Sequence, residues 1–346
     1  MALSTNLSAT TREIWDRTAY TQAWMRMILF ALIMERGQVM KCGTAIKHTI
    51  DYEEMDDLFQ EYASGEPLTG GTTTMATTAT WYRKRAQLPV EIDGDDWIAA
   101  GGAGGGDSGR VIPFKQWLVA KAHRAMRLAM NKAVYRVGSA TRDAQGVKGI
   151  QGIPDALTHD LQYGGLTRAT TVTNKLWQGA SLAQTWADQG TAMSPSVENF
   201  RACLDSISEH FEGGYENCVA ITSTTNFRYL QSQLDGTASY TPRGKHAKFG
   251  FTSFEIDGVE VFAEPWFTNI RNAARTDMVK YMYFLNLSTW TLHLDPERKL
   301  GKLGPFIDQS EQQNGLDQYL ARIKFAGNLT CHQPNANLFK TNVAFG

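Results

Sequence analysis

The stretch that decides the fold runs Ala79-Thr80-Trp81-Tyr82-Arg83-Lys84-Arg85-Ala86-Gln87-Leu88-Pro89-Val90-Glu91-Ile92-Asp93-Gly94. Thr72, Thr73, Thr74, Thr77 and Thr78 lead into it. Threonine and aromatic side chains favour pleated backbone, because their bulk at Cβ or beyond packs well on a half-buried sheet surface. Pro89 has no N–H to give to a ladder, so it marks an edge strand or a bulge. Short polar and apolar alternations continue back to residue 38. The region 38–110 therefore reads as a long two-stranded arm with a turn-rich middle around Ser64 to Gly71. Its threonine-rich face argues against burial within one core.

Downstream, Gly101-Gly102-Ala103-Gly104-Gly105-Gly106-Asp107-Ser108-Gly109 reads as a hinge or flexible loop. Pro113 then opens a helix in the favoured first-turn position, and Gly138 stops it after Val137. About 25 residues of helix span roughly 37 Å. Trp117, Leu118, Ala125, Leu128 and Ala129 can share its apolar face. Lys115, Lys121, Arg124, Arg127, Lys132 and Arg136 give it positive charge, and no acidic residue occurs between Gly109 and Asp143. Upstream, Met1 to Ala9 form a lead, and Ile14 to Met34 suit a helix rich in Trp15, Trp24, Met25, Met27 and Phe30, with Gly37 as its stop. A segment this apolar must bury against its own domain or a neighbouring subunit.

From Thr141 to Met193 the chain is rich in loops and turns. Ser194-Pro195-Ser196 then starts a helix by serine capping, with Val197, Phe200, Leu204, Ile207 and Phe211 on one face. A strand at Cys218 to Ile221 and a helix at Thr225 to Leu234 follow. Phe254 to Phe262 reads as a hairpin turning at Asp257-Gly258. Met278 to Leu287, Trp290 to Leu294 and Leu316 to Cys331 read as strands. Helices and strands without regular βαβ alternation mean α+β.

The 346 residues are enough for one large domain or two ordinary ones, and the composition is that of a folded chain: 42% hydrophobic and 20% charged. A net charge of −1 excludes a general electrostatic grip on nucleic acid, so any phosphate contact is local. Cys42, Cys203, Cys218 and Cys331 are scattered and read as reduced, buried, small apolar residues. The apolar run Met27 to Met34 is far below the roughly 20 residues of a membrane span, and no secretion signal is visible.

Chemistry is not signalled. The glycine run lacks the Lys-Ser/Thr of a phosphate loop, and the histidines at 48, 123, 159, 210, 246, 293 and 332 make no metal-ligand spacing. No GxSxG elbow surrounds a serine. Asp95-Asp96, and Glu53-Glu54 with Asp56-Asp57, sit in polar context and read as solvated pairs. No catalytic residue, metal site or cofactor is expected. The basic helix has two readings: a solvated face with intersubunit salt bridges, or a surface facing DNA through Lys121, Arg124, Arg127 and Lys132 by non-specific phosphate contact. Trp81-Tyr82-Arg83-Lys84-Arg85 could stack on nucleic acid. On a projecting arm, aromatic and arginine side chains more often anchor a protein interface. Trp15, Trp24, Trp81, Tyr82, Arg83 and Arg85 are therefore the intersubunit contact candidates.

The order of features resembles the major capsid protein of tailed double-stranded DNA phages, with its Hong Kong phage-type fold. Ala79-Thr80-Trp81-Tyr82 and Leu88 to Gly94 resemble the extended loop that leads to the spine helix in one subfamily. Gln162-Tyr163-Gly164-Gly165-Leu166-Thr167-Arg168-Ala169-Thr170, with Leu176-Trp177 after it, resembles that subfamily's glycine-rich passage and its tryptophan, although Leu166-Thr167 departs from the usual Ile-Asp. The helix at 196–211, the strand at 218–221 and Thr225-Asn226-Phe227 follow the order of the axial domain. The likeness covers nearly the whole chain, and the order of elements carries it more than any one motif.

The resemblance implies an N-terminal arm (1–37), an extended loop (38–110), a peripheral domain with the spine helix (111–150), an axial domain with part of the peripheral domain (151–315), and a return strand with the C-terminus (316–346). It also implies homo-hexamers and pentamers around packaged DNA, with a separate scaffolding protein, a portal and sometimes a decoration protein as partners. The virion would be the location, with assembly in the host cytoplasm. Lysine–asparagine cross-links occur in some members, and no such pair is mapped here. Two alternatives stand beside it: an encapsulin-like protein nanocompartment of the same fold, and an enzyme whose site assembles from distant residues.

Overall fold

The computed structural model describes residues 28–51, 61–62, 64, 76–99, 114–135, 148–158, 162–166, 177, 179–180, 192–208, 215–234, 253–267, 277–295, 305–308 and 317–343. In chain order the principal elements are α1 (Ile28–Arg36), β1 (Gln38–Lys41), β2 (Ala45–Asp51), β3 (Ala76–Tyr82), β4 (Lys84–Asp93), α2 (Gly94–Ala99) and α3 (Phe114–Val134). There follow α4 (Ile153–Leu157), α5 (Val197–Ser208), β5 (Cys218–Thr222), α6 (Thr224–Leu234), β6 (Ser253–Ile256), β7 (Val259–Ala263) and β8 (Met282–Asn286). The last are β9 (Trp290–Leu294), β10 (Ile307–Asp308), β11 (Gln318–Cys331) and β12 (Leu338–Lys340). The class is α+β, as the sequence indicates. Trp15, Trp24, the arm tip around 64–71, the glycine run 101–109 and Pro113 fall outside the described residues, apart from Ser64.

Contacts divide the chain into two compact units, both discontinuous in sequence. One takes in 85–132 and 294–327, and the other 28–84, 133–293 and 328–346. In the first, β10 pairs antiparallel with the start of β11, with Ile307 opposite Leu320, and β4 also pairs with β11. Ile92 and Trp97 are its buried centre, with Trp117, Leu118, Phe306 and Tyr319 packed on them. Trp97 stacks on Tyr319 with ring centroids 4.6 Å apart. Gly94 donates its N–H to the Asp317 carbonyl at 3.0 Å, which ties the end of β4 to the start of β11.

The second unit holds a five-stranded sheet in the order β12-β8-β5-β7-β6. Only β5 and β7 run parallel; the other neighbours are antiparallel. β5 and β8 are buried along their whole length, which explains their unbroken apolar runs. Helices α5 and α6 cover this sheet through Phe200, Leu204, Ile207, Phe227 and Leu230. The serine cap expected before α5 is present: Ser196 Oγ accepts from the Asn199 N–H at 3.2 Å. The hairpin turn is also as read, with Asp257 at φ 50° and Gly258 at φ 86°, the doubly left-handed backbone that suits a two-residue hairpin.

Two readings of the sequence change. The inward stripe of α3 is Ala122, Met126, Met130 and Val134, four residues apart, whereas Ala125 and Ala129 are exposed and Leu128 is half-buried. Alanine fits either face of a helix, and the alanine, two methionines and valine that form the stripe carry no pattern stronger than the one expected. The arm, read as not buried within one core, is in fact buried on one face. Ile46, Ile50, Ala79 and Trp81 are buried, while Thr49 and Thr78 are exposed. A strand's alternation gives it one face of each kind.

Candidate functional site

The arm is an antiparallel ladder of β2 and β3, in register from Ala45 opposite Tyr82 to Asp51 opposite Ala76. Its inner face lands on a cluster of rings. Trp81 lies edge-on to Tyr163 with centroids 5.4 Å apart, and 6.2 Å from Trp177. The glycine-rich passage singled out in the sequence forms the seat. Gly164 and Gly165 take left-handed backbone, with φ of 62° and 78°. The Gly164 carbonyl accepts the Thr80 N–H at 2.7 Å. A side chain at Gly164 would meet Ala79 Cβ at 2.9 Å and the Trp81 ring at 3.0 Å, so only glycine lets β3 come this close.

The seat is itself bolted down. Trp177 Nε1–H donates to the Tyr163 carbonyl at 3.0 Å, and the Cys331 N–H donates to the Tyr163 hydroxyl at 2.7 Å. Asn328 Nδ2 donates to the Tyr82 carbonyl at 3.1 Å and to Gln151 Oε1 at 2.8 Å. The root of the arm is thus held by residues from 151, 163–164, 177 and 328–331, far apart in the chain.

Two histidines, on β2 and β9, enter the same cluster. His48 on β2 lies edge-on to Trp81 at 5.4 Å and 5.7 Å from His293 on β9. His293 is buried, meets Thr330 Oγ1 through Nε2 at 3.1 Å, and hydrogen-bonds the Lys41 backbone. Burial, with the neighbouring His48 charge second, pushes its pKa down to about 4. His48 is lowered by burial, and His332 by burial and then by His48. Sequence spacing gave no hint of this pair, because its members are 48 and 293.

The contact candidates separate. Trp81, expected on a neighbouring subunit, is 0% exposed inside its own chain. It shares the inner face of β3 with Ala79, so it serves the arm's root and has no ring face left for a partner or a base. Lys84 of the same basic run is buried as well. Tyr82 and Arg83 are half-buried, and Arg85 is exposed. On α3, Lys121, Arg124 and Arg127 are exposed and Lys132 is half-buried, with Lys121 Nζ 5.0 Å from the Trp117 ring centroid. The end of α1 is anchored by Arg36, which pairs with buried Glu260 Oε2 on β7 at 2.8 Å and donates to the Glu216 carbonyl at 3.0 Å.

None of the four cysteines is in a disulfide; Cys203, Cys218 and Cys331 are buried, and burial pushes the Cys218 thiol up to about 12. Among the described residues no group of three or more His, Cys, Asp or Glu side chains is arranged to hold a metal ion, and no helix is long and apolar enough to cross a membrane.

No protein-family model matches the sequence, and no curated protein matches it. Solved structures do. The chain superposes on a capsid subunit of cyanophage A-1(L) with a TM-score of 0.62 at 15% identity, covering 98% of both chains. It matches the capsid of the myovirus phage XM1 at 0.55 and 10% identity over 99% of both, and the capsid of a native GTA particle at 0.53 and 11% identity over 94% of this chain and 100% of that one. A likeness this complete in both directions, at identities this low, is one of element order and packing. The chain has the Hong Kong phage-type major-capsid fold.

Proposed function

We propose that this chain is the structural subunit of a tailed-phage head, self-assembling into an icosahedral shell that encloses double-stranded DNA. The observation that carries the reading is the match to capsid subunits over nearly the whole of both chains. The neighbours are phage and gene-transfer-agent capsids, which disfavours the nanocompartment alternative. A capsid role is structural, in line with the capsid neighbours.

In this reading 1–37 is the N-terminal arm, 38–110 the extended loop, 111–150 the peripheral domain with α3 as its spine helix, 151–315 the axial domain with part of the peripheral domain, and 316–346 the returning strand and C-terminus. Trp15, Trp24, Tyr82, Arg83 and Arg85 are the proposed contacts between subunits in hexamers and pentamers. Lys121, Arg124, Arg127 and Lys132 are the proposed lumen-facing cations, meeting packaged DNA by weak non-specific contact. A separate scaffolding protein, a portal and possible decoration proteins complete the partners, with assembly in the host cytoplasm and residence in the virion.

Sedimentation velocity and electron microscopy of the recombinant chain, alone and with the neighbouring scaffold gene product, test the assembly. Closed shells, hexamers or pentamers are expected; a small stable species under both conditions overturns the reading. Reversing Lys121→Glu with Arg124→Glu tests the helix face: shells should form and hold less DNA. Unchanged DNA content in intact shells would assign that face to solvent or to salt bridges.

A further inference from the structure

We propose that His48 and His293 form an acid-sensitive latch that fastens the root of the β2–β3 arm to the body of its own unit. The pair joins two segments, His48 on the arm and His293 on β9, and a third ring, His332, follows just after β11. Its wall is apolar and aromatic, with Trp81 against His48 at 5.4 Å. His48 Nε2 is buried without a hydrogen-bond partner, so the ring sits there neutral and has nothing to receive the proton it would gain in acid.

Among the described residues, the contact that favours a charged ring is the Lys41 backbone hydrogen bond to His293. From β1 the contact is the Lys41 backbone, and the Lys41 side chain is exposed. From β2 the next cation, Lys47, is exposed on the opposite face. From β11 the neighbour is the Thr330 hydroxyl, 3.1 Å from His293 Nε2. The Tyr163 phenol is occupied by the Cys331 N–H. Among the described residues no carboxylate acts on any of the three rings. Successive protonation therefore places like charges together in an apolar pocket, with 5.7 Å between the centroids of His48 and His293.

The arm is the part that can yield. Its described ladder has only two strands, whereas β5 lies in a five-stranded sheet. Acid should free β2–β3 while β5 stays folded, giving the arm a second position without loss of the fold. The inference concerns a single chain and holds whether or not the chain builds a shell.

Hydrogen exchange read by mass spectrometry on the full chain, corrected for intrinsic pH dependence, tests this. Between pH 7 and pH 4, protection over 45–51 and 76–82 should fall at least tenfold while 218–222 keeps its protection. In the double variant His48→Phe with His293→Gln, arm protection should persist at the pH where the unmodified chain has lost it. Equal loss in arm and β5, or the same arm midpoint in both proteins, overturns the latch. NMR titration of the histidine rings in the unmodified chain gives a reading that needs no variant. Two or more rings titrating below the usual histidine range support the latch, and all seven titrating near the ordinary value overturn it.

Discussion

Gly164 holds the arm at the scale of one residue, because it combines left-handed backbone with contact on β3. Gly165 has the same backbone sign and open space around it, so the pair separates strain from packing. Gly165→Ala should cost about 1 kcal/mol of backbone strain. Gly164→Ala should cost about 3 kcal/mol, since it adds a clash with Ala79 and Trp81 to the same strain. Denaturant unfolding of the unassembled subunit checks the difference. Trp81→Ala should cost about 3–5 kcal/mol for the cavity it leaves among Tyr163, Trp177 and His48. Because Trp81 is internal, the expected damage is to subunit folding, seen as a lower unfolding midpoint. An unchanged midpoint with lost assembly would return Trp81 to the surface.

Among elements, α1 is an apolar helix whose anchor is polar. Ile28, Leu29, Phe30, Leu32 and Ile33 are buried, and Gly37 ends the helix with its N–H on the Ile33 carbonyl at 2.8 Å. Arg36 then reaches Glu260, which is 2% exposed. Removing the cation leaves that carboxylate without this partner, and Arg36→Ala should destabilise the unit by about 3 kcal/mol. Arg36→Ala paired with Glu260→Gln should recover part of the loss, which a double-mutant cycle in chemical denaturation would read. Additive losses would mean the pair is not coupled. Helix α3 shows the converse case: its buried stripe of Ala122, Met126, Met130 and Val134 leaves Lys121, Arg124 and Arg127 outside by geometry. The charge on that face therefore lies outside the helix's buried stripe.

Over the whole molecule, the three lowered histidines set the sign of the pH response. Their folded pKa values lie below the ordinary value of 6.5 for the free side chain, that of His293 at about 4. The unfolded chain then binds more protons between those values, so stability is complete above pH 6.5 and declines as the pH falls toward 4. Thermal midpoints of the unassembled subunit should drop through this window. His293→Gln should flatten the decline, and an identical slope would remove His293 as its source.

Much of the chain was legible from local pattern alone. Phe200, Leu204 and Ile207 announce α5 by steps of three and four, and Asp257-Gly258 announces its hairpin, because both depend on residues a few positions apart. The order of such elements was enough to indicate the capsid fold. Side-chain destinations were not legible in the same way. The sequence shows that Trp81 lies in a strand, but which face of that strand meets a body depends on Tyr163, Trp177 and Asn328, and Asn328 bonds Tyr82 across 246 positions. The histidine pair is a further case, since the rings at 48 and 293 meet only once β2 and β9 are assembled. Local periodicity is set by backbone geometry and can be read along the chain. Burial and partnership are set by what packs opposite, and only the tertiary structure decided those.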